Sequence, residues 1–279
     1  MPASTEQLPP GRQPITARLA GAGSLRQELE AVLSAAPGDA TSAVYRSLVL
    51  DANIAGKPSY SARRHVWTHL KLRYVLNPDV APFPAFADAM RNSSMPDDRG
   101  LLCLLMLART DRLFREVTLE CVSDLLQRPG VLIDPAAVQE SIDRRVRETG
   151  AVWGDQTRHT ARAHLLSALK DFGLLRGSAA KRTATPRPGT SVITFAAALG
   201  KEEGLTDRQI LASRWSRLLG LPAEQVVQLL YAAARNGAVA FRMQADVVEI
   251  DLPELAVAAA AGDADTLPSG RPFWRSPQG

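Results

Sequence analysis

Apolar residues recur at intervals of three and four along most of this chain, and proline or glycine pairs interrupt the recurrence. The segment 25–33, for example, places four apolar residues on one helical face before Pro37-Gly38. Such spacing predicts amphipathic helices, and the breaks predict their ends. Leu101–Ala108 is apolar on all sides, which predicts a buried central helix. The pattern therefore predicts packed helices from Leu25 to Leu175.

The last part of the chain follows a different pattern. Helices are predicted from Thr206 through Leu218 and from Pro222 through Ala234, with a tight turn between them. Two β-rich runs follow, Ala238–Met243 and Val247–Ile250, and they predict a hairpin. Helix, turn, helix and hairpin is the order of a winged helix-turn-helix. Modules of this type bind DNA in some proteins and other proteins elsewhere, so the order alone does not fix a function.

The length of 279 residues is compatible with two domains or one large one. We predict a mostly α-helical protein, with a helical bundle followed by a winged-helix-like module that carries a short β-hairpin. The predicted organisation is a disordered tail at 1–14, a helical domain at 15–176, a basic linker or hairpin-like loop at 177–189, a winged-helix-like domain at 190–256 and a tail at 257–279.

Several protein classes are excluded by what the chain lacks. The apolar runs Leu101–Ala108 and Leu255–Gly262 are far shorter than the roughly 20 residues of a spanning helix, so we expect no membrane insertion. Met1–Arg12 has no apolar stretch and is not a signal peptide, so we expect a cytoplasmic protein. Cys103 and Cys121 form no CxxC motif, and we expect both to be buried thiols.

Basic residues are gathered in two blocks. The stretch 52–78 has five bases and no acid, and the stretch 156–188 has seven bases and one acid, whereas 243–270 has six acids and no base. Blocks of like charge sustain a field over part of a protein surface, and the basic ones are typical of a polyanion-binding protein. Each block could instead be a solvated helix face whose charge is balanced elsewhere in the fold.

Motifs of enzymes and metal sites are missing. No P-loop, dinucleotide-binding, zinc-protease or serine-hydrolase motif occurs. His65 and His69 share a helix face but have no nearby acid or cysteine, so they more plausibly extend the basic face than bind a metal. Pro96-Asp97-Asp98 has the composition of a turn. We therefore expect no catalytic activity, no cofactor and no metal.

Several segments, taken in order, resemble the BrxA proteins of bacterial BREX phage-exclusion systems. An Ala-x-Leu-x-x-Gly-Gly-like opening is similar to the start of this chain, although Gly21-Ala-Gly23 replaces the glycine pair. The resemblance covers about residues 15–180. The segments that carry it are Ile15-Thr-Ala-Arg-Leu-Ala-Gly-Ala-Gly-Ser-Leu25, Asn53-Ile54, Lys57-Pro-Ser-Tyr-Ser-Ala-Arg-Arg64, Leu72-Arg73, Leu101–Leu125 with Arg112-Leu-Phe-Arg-Glu116, and Trp153-Gly-Asp-Gln-Thr-Arg158 through Phe172-Gly-Leu-Leu175.

The resemblance implies a helical protein with a NusB-like portion that acts in antiviral defence, is associated with DNA and lacks known enzymatic activity. It also implies other BREX subunits as partners. Together with the basic blocks, it leads to the hypothesis of a DNA-binding accessory protein that contacts the phosphates of double-stranded DNA with weak sequence preference. The expected contacts are Lys57, Arg63, Arg64, Lys71, Arg73, Arg158, Arg162, Lys181 and Arg182, forming one continuous cationic strip.

Two other functions remain open. In the first, the basic blocks dock an acidic partner subunit and the protein is an interaction scaffold. In the second, the protein is a transcriptional regulator and the helix Pro222–Arg235 reads a DNA major groove. That helix carries Arg235 near its end and Glu224 near its start, and an acidic hairpin follows it, which argues against entry into the groove.

Overall fold

Helices make up most of the structure, a computed structural model that describes residues 14–93, 95–245 and 247–252. The predicted tails lie largely outside these residues. The first part of the chain contains α1 (Arg18–Gly21), α2 (Arg26–Ala35), α3 (Ser42–Leu50), α4 (Tyr60–Tyr74), α5 (Phe83–Asn92), α6 (Asp98–Thr110), α7 (Arg112–Cys121), a 3₁₀ turn (Ser123–Leu125), α8 (Pro135–Glu148) and α9 (Asp155–Asp171).

The second part adds four more helices and two small antiparallel sheets. Its elements are β1 (Leu175–Arg176), β2 (Arg182–Thr183), α10 (Thr190–Glu202), α11 (Asp207–Leu211), α12 (Arg214–Leu218), α13 (Ala223–Arg235), β3 (Ala240–Gln244) and β4 (Val247–Asp251). Strand β1 pairs with β2, and β3 pairs with β4. The prediction of a mostly α-helical protein with a hairpin near its C-terminus is therefore confirmed.

Side-chain caps start several of the helices. Thr41, Ser59, Asp111 and Asp134 each accept a hydrogen bond from a backbone N–H in the first turn of the next helix. Ser24 is different, because its hydroxyl donates to a carboxylate oxygen of Asp171 at 2.6 Å. Helix α2 begins two residues later, at Arg26, whose N–H points to the Ser24 hydroxyl oxygen at 3.4 Å.

The core is centred on α6. Residues Leu101–Ala108 are all buried, as the apolar run predicts, and α4, α5, α7 and α10 pack around them. Cys103 lies on this helix and is completely buried, whereas Cys121 at the end of α7 is only half-buried. The prediction of two buried thiols thus holds fully for Cys103 alone.

The helix predicted from Thr206 through Leu218 is broken into α11 and α12. Ser213 has an extended backbone, with φ −68° and ψ 164°, and its hydroxyl accepts the N–H of Ser216. A serine that caps a new helix competes with continuation of the preceding one, which explains the break. Helix α13 and the hairpin follow as predicted, with Phe241 opposite Ile250 and both side chains buried.

The start of the segment predicted as a basic linker or hairpin-like loop lies in a β-hairpin. Leu175 pairs with Thr183 and Arg176 pairs with Arg182 across β1 and β2. The chain between Thr183 and α10 is then anchored by Asp98, a buried residue at the start of α6. Its carboxylate accepts the N–H of Gly189 at 2.7 Å and the hydroxyl of Ser191 at 2.8 Å.

Helix α10 joins the two parts of the molecule. Phe195 on α10 packs against Phe86 on α5 with 5.8 Å between ring centroids, and α13 covers another side of α10. The guanidinium of Arg109 on α6 binds the carboxylate of Glu202 at the end of α10. One continuous cluster of buried apolar side chains extends from Ile15 to Ile250. The predicted domain boundary at 190 remains a prediction, but it falls at a helix that packs on both sides.

Candidate nucleic-acid interface

The exposed side of α4 carries free bases and no acid. Arg64 and Lys71 are seven residues apart, which places them on the same face two turns apart. Both are exposed, and neither has a hydrogen bond or ion pair with any described residue. His65, also exposed, lies beside them. We call Arg64, His65 and Lys71 the α4 face.

Two further predicted contacts near α4 are already engaged within the protein. The guanidinium of Arg63 donates to the carbonyl oxygen of Leu50 at 2.6 Å and lies 5.5 Å from the ring centroid of Tyr60. The ammonium group of Lys57 lies 2.7 Å from a carboxylate oxygen of Glu28. Both residues flank the α4 face, but contacts within the protein already satisfy part of their hydrogen-bonding capacity and charge.

Arg73 lies inside the protein. Its side chain is only 2 % exposed, and its guanidinium donates to the carbonyl oxygens of Ala22 at 2.7 Å and Arg18 at 3.2 Å. Burial lowers the pKa of this guanidinium. The chain around α1 covers this end of α4, so Arg73 binds its unpaired carbonyls and does not reach solvent. The spacing of Val66, Leu70 and Arg73 is that of one helical face and could have indicated this position.

His69 sits between Arg73 and the surface. Its Nδ1 accepts a hydrogen bond from Arg73 at 2.9 Å, and its ring lies 4.4 Å from that of His65. Burial, together with the charges of Arg73, His65 and His164, lowers the pKa of His69 to about 4. His69 is therefore a neutral hydrogen-bond acceptor and does not add positive charge to the surface. No group of three potential metal ligands occurs among the described residues.

This arrangement makes stability depend on pH. The pKa of His69 falls from 6.5 to about 4 on folding, so between these values the unfolded chain binds a proton that the folded chain does not. Stability should therefore fall as pH falls from 6.5 to 4, by about 2 kcal/mol after allowance for partial exposure. Urea unfolding of the wild type and His69→Gln at pH 7, 5.5 and 4 measures this.

In that series, His69→Gln should lose less stability than the wild type on acidification, because glutamine does not titrate. Thr68→Gln, at an exposed position on the same helix, controls for the effect of a new glutamine. Parallel loss of stability in the wild type and His69→Gln would contradict the prediction.

The predicted contacts on α9 lie on other sides of that helix than His164, which contacts α1 beside α4. Arg158 forms ion pairs with Asp155 and, at 3.4 Å, with Asp143 on α8. Arg162, one turn further along α9, is half-buried. His164 lies on another side of the helix, where its Nδ1 donates to the carbonyl oxygen of Leu19 next to α4. With Arg73 buried and Arg158 paired with Asp143, the predicted bases of α4 and α9 do not form one continuous strip of free charges.

Lys181 and Arg182 lie on the β1–β2 hairpin, with a base that the predicted contacts omit. Arg176 stands directly opposite Arg182. Arg182 donates to the carbonyl oxygen of Gly130 at 2.9 Å, and the Lys181 ammonium donates to the carbonyl oxygens of Gly177 and Ser178. We call Arg176, Lys181 and Arg182 the hairpin cluster. Residues 172–189 contain no acid, and this sequence signal could have added Arg176 to the predicted contacts.

The buried ionisable groups serve the fold. Burial raises the pKa of the Cys103 thiol, and it also raises the pKa of Asp111, whose carboxylate accepts the N–H of Phe114 at the start of α7. Burial raises the pKa of Glu203, which faces Arg214 at 3.3 Å. In the part of the chain that the structure describes, every helix is too short or too polar to cross a bilayer.

The fold and its surface define a class: a mostly α-helical protein with a small C-terminal hairpin and exposed clusters of bases on separate elements. The BrxA family model matches residues 14–200, and this chain belongs to the BrxA family. The resemblance found in the sequence is thereby confirmed, and membership of the family supports a role in BREX phage defence. A search of curated proteins gives no match. The family match ends within α10, so α11, α12, α13 and the β3–β4 hairpin lie beyond it.

Proposed function

We propose that this protein is a non-enzymatic accessory subunit of a BREX system that binds double-stranded DNA through its phosphates. The observation that carries the proposal is the α4 face, where Arg64 and Lys71 are exposed and have no partner among the described residues. Charges that are not neutralised within the protein are available to replace the counterions that surround DNA. The hairpin cluster offers a second such surface.

The chemistry of the α4 face favours binding without sequence readout. Long flexible bases contact phosphates and fix the position of a protein on the duplex, but they carry no sequence information there. Thr68 lies between Arg64 and Lys71 on the exposed face and is too short to extend as far as they do. We therefore expect weak sequence preference and strong salt dependence.

The winged-helix-like module supports this proposal less than the α4 face does. Helix α13 begins with Glu224 in its first turn and has a single base, Arg235, in its last turn. Its exposed side carries the amides of Gln225 and Gln228, but a helix that enters the major groove also needs bases near the phosphates on either side of the groove. This argues against a transcriptional regulator that reads DNA with α13. The winged-helix-like module is then available for contacts with other proteins.

The test is a titration of a fluorescent duplex over a series of salt concentrations. Arg64→Ala/Lys71→Ala should weaken binding about tenfold and reduce the slope of log K against log salt by about two units, because two phosphate contacts are lost. Arg91→Ala/Arg99→Ala removes two exposed bases at other sites, on α5 and at the start of α6, and serves as the matched control. Equal affinity and slope in the wild type and the α4 variant would contradict the proposal.

A second candidate is an interaction scaffold, and one observation favours it. Tyr231 on α13 and Met243 on β3 are large apolar side chains about 40 % exposed, and Val247 on β4 is more exposed still. Capture of other BREX subunits that survives nuclease treatment, combined with flat DNA titrations, would favour the scaffold over the DNA-binding protein.

A further inference from the structure

The β1–β2 hairpin is held rigidly by a third segment of chain. Thr183 on β2 donates its N–H to the carbonyl oxygen of Val131 and accepts the N–H of Gly130, both at 2.9 Å. Ile133 donates its N–H to the carbonyl oxygen of Lys181 at 2.9 Å. Residues 130–133 thus lie beside β2 and complete a small three-stranded unit. A projecting hairpin fixed in this way loses little conformational freedom when it binds.

Two arginines face each other across this hairpin. Arg176 and Arg182 are direct partners in the register of β1 and β2, so their side chains lie on the same side of the sheet. Like charges in this position repel each other, and no acid occurs between Asp171 and Glu202 to offset them. Neither arginine forms an ion pair with a described residue. This placement favours an external anion at the base of the hairpin.

The tip of the hairpin is narrow. Residues 177–180 are glycine, serine and two alanines, all exposed. Gly177 has φ +99°, and a Cβ there would lie 2.2 Å from the carbonyl oxygen of Ala180, so the turn closes tightly only with glycine. The Lys181 ammonium donates to the carbonyl oxygens of Gly177 and Ser178 and holds the tip closed.

An exposed leucine lies next to the arginines. Leu132 forms an antiparallel β-bridge with Arg182 along the edge of β2 that does not pair with β1. Leu132 is 52 % exposed. The row Arg176, Arg182 and Leu132 therefore crosses the three-stranded unit on one side. Proteins that bind the minor groove of DNA combine arginine side chains with apolar ones that contact the sugars or enter between base pairs.

We propose that the β1–β2 hairpin lies over the minor groove of duplex DNA, with the side chains of Arg176 and Arg182 reaching into the groove and Leu132 against the sugar edge. This inference rests on the proposed function, because it specifies which groove of the duplex the DNA-binding protein contacts. The minor groove is about 6 Å wide, which is too narrow for two paired strands but admits single arginine side chains, and the small side chains at the tip let the hairpin approach the duplex closely. A hairpin that read the major groove would need polar side chains that reach base edges, and this tip offers only Ser178.

The negative potential of the minor groove is strongest where A·T pairs narrow it, and arginines prefer such sites. We therefore expect tighter binding to an A·T-rich duplex than to a G·C-rich one. Netropsin, which occupies the minor groove, should weaken binding of the wild type to the A·T-rich duplex. Methyl green, which occupies the major groove, should have less effect at equal saturation.

Ala179→Glu is the decisive variant, because it puts a negative charge at an exposed tip position and removes no contact of the fold. It should weaken binding to the A·T-rich duplex about tenfold and abolish sensitivity to netropsin. Ala163→Glu, on the exposed side of α9, makes the same change elsewhere and is the matched control. Arg176→Ala/Arg182→Ala should behave like Ala179→Glu.

The outcomes separate this inference from the proposed function. If Ala179→Glu and Ala163→Glu bind equally, or if methyl green competes and netropsin does not, the minor-groove inference is wrong while duplex binding stands. If the wild type shows no salt-dependent binding to either duplex, the proposed function fails and this inference fails with it.

Discussion

Replacing Trp215 with alanine should lower the free energy of unfolding by about 3–5 kcal/mol. Trp215 lies on α12 and is the largest fully buried side chain of the described residues. Helix α12 packs on α7 and α10, so the indole fills space between the two parts of the chain. Its removal leaves a cavity that short, capped helices cannot easily close, and the neighbouring side chains lose their contacts.

We expect this loss in a single transition of the whole chain, because the buried cluster is continuous. Urea unfolding of Trp215→Ala tests this directly. With Trp274 replaced by phenylalanine in the wild type and the variant, Trp67 and Trp153, both in the helical part, then report that part by fluorescence, while circular dichroism reports all helices. Two separate transitions would instead support an independent domain at 190–256. Val152→Ala is the control; its side chain is 99 % exposed and should change stability by less than about 0.5 kcal/mol.

Glu202→Ala should destabilise the protein by a similar amount, about 3–5 kcal/mol. The Nε of Arg109 lies 3.1 and 2.9 Å from the two carboxylate oxygens of Glu202, and the side chains are only 4 % and 19 % exposed. Removing the carboxylate takes away the counter-charge that Glu202 supplies to a buried cation. Chemical unfolding of the variant against the wild type measures the loss.

Two comparisons test the cause of this loss. Glu148→Ala removes a carboxylate that is 53 % exposed and 3.9 Å from its partners, and it should cost less than about 1 kcal/mol. Arg109→Met/Glu202→Leu removes both charges and should recover much of the stability lost in Glu202→Ala. If the double variant is no more stable than Glu202→Ala, the loss does not arise from the broken Arg109–Glu202 ion pair.

Local features of the fold could be predicted from the sequence. Ser59 and Asp111 cap helices where their positions before apolar runs indicate, and Leu101–Ala108 forms the central helix. These features depend on side chains and backbone close together in sequence. The break at Ser213 was missed because a serine inside an apolar pattern fits either a helix interior or a cap, and only packing decides between them.

The candidate site was harder to predict because charge along the chain is not charge on the surface. Arg73 belongs to an acid-free block, yet it binds carbonyl oxygens more than fifty positions away in the chain. Arg158 belongs to another basic block, yet it pairs with Asp143 on the neighbouring helix. Contacts at such separations depend on how helices pack, and a single sequence does not contain that information.

The position of Cys103 gives the protein a built-in reporter of its own opening. Its thiol is enclosed at the centre of α6, and burial raises its pKa, so a water-soluble maleimide meets neither an accessible sulfur nor a thiolate while α6 stays covered. Labelling of this residue therefore records how often the surrounding helices separate. The half-buried Cys121 provides an internal reference for reagent reactivity within the same molecule.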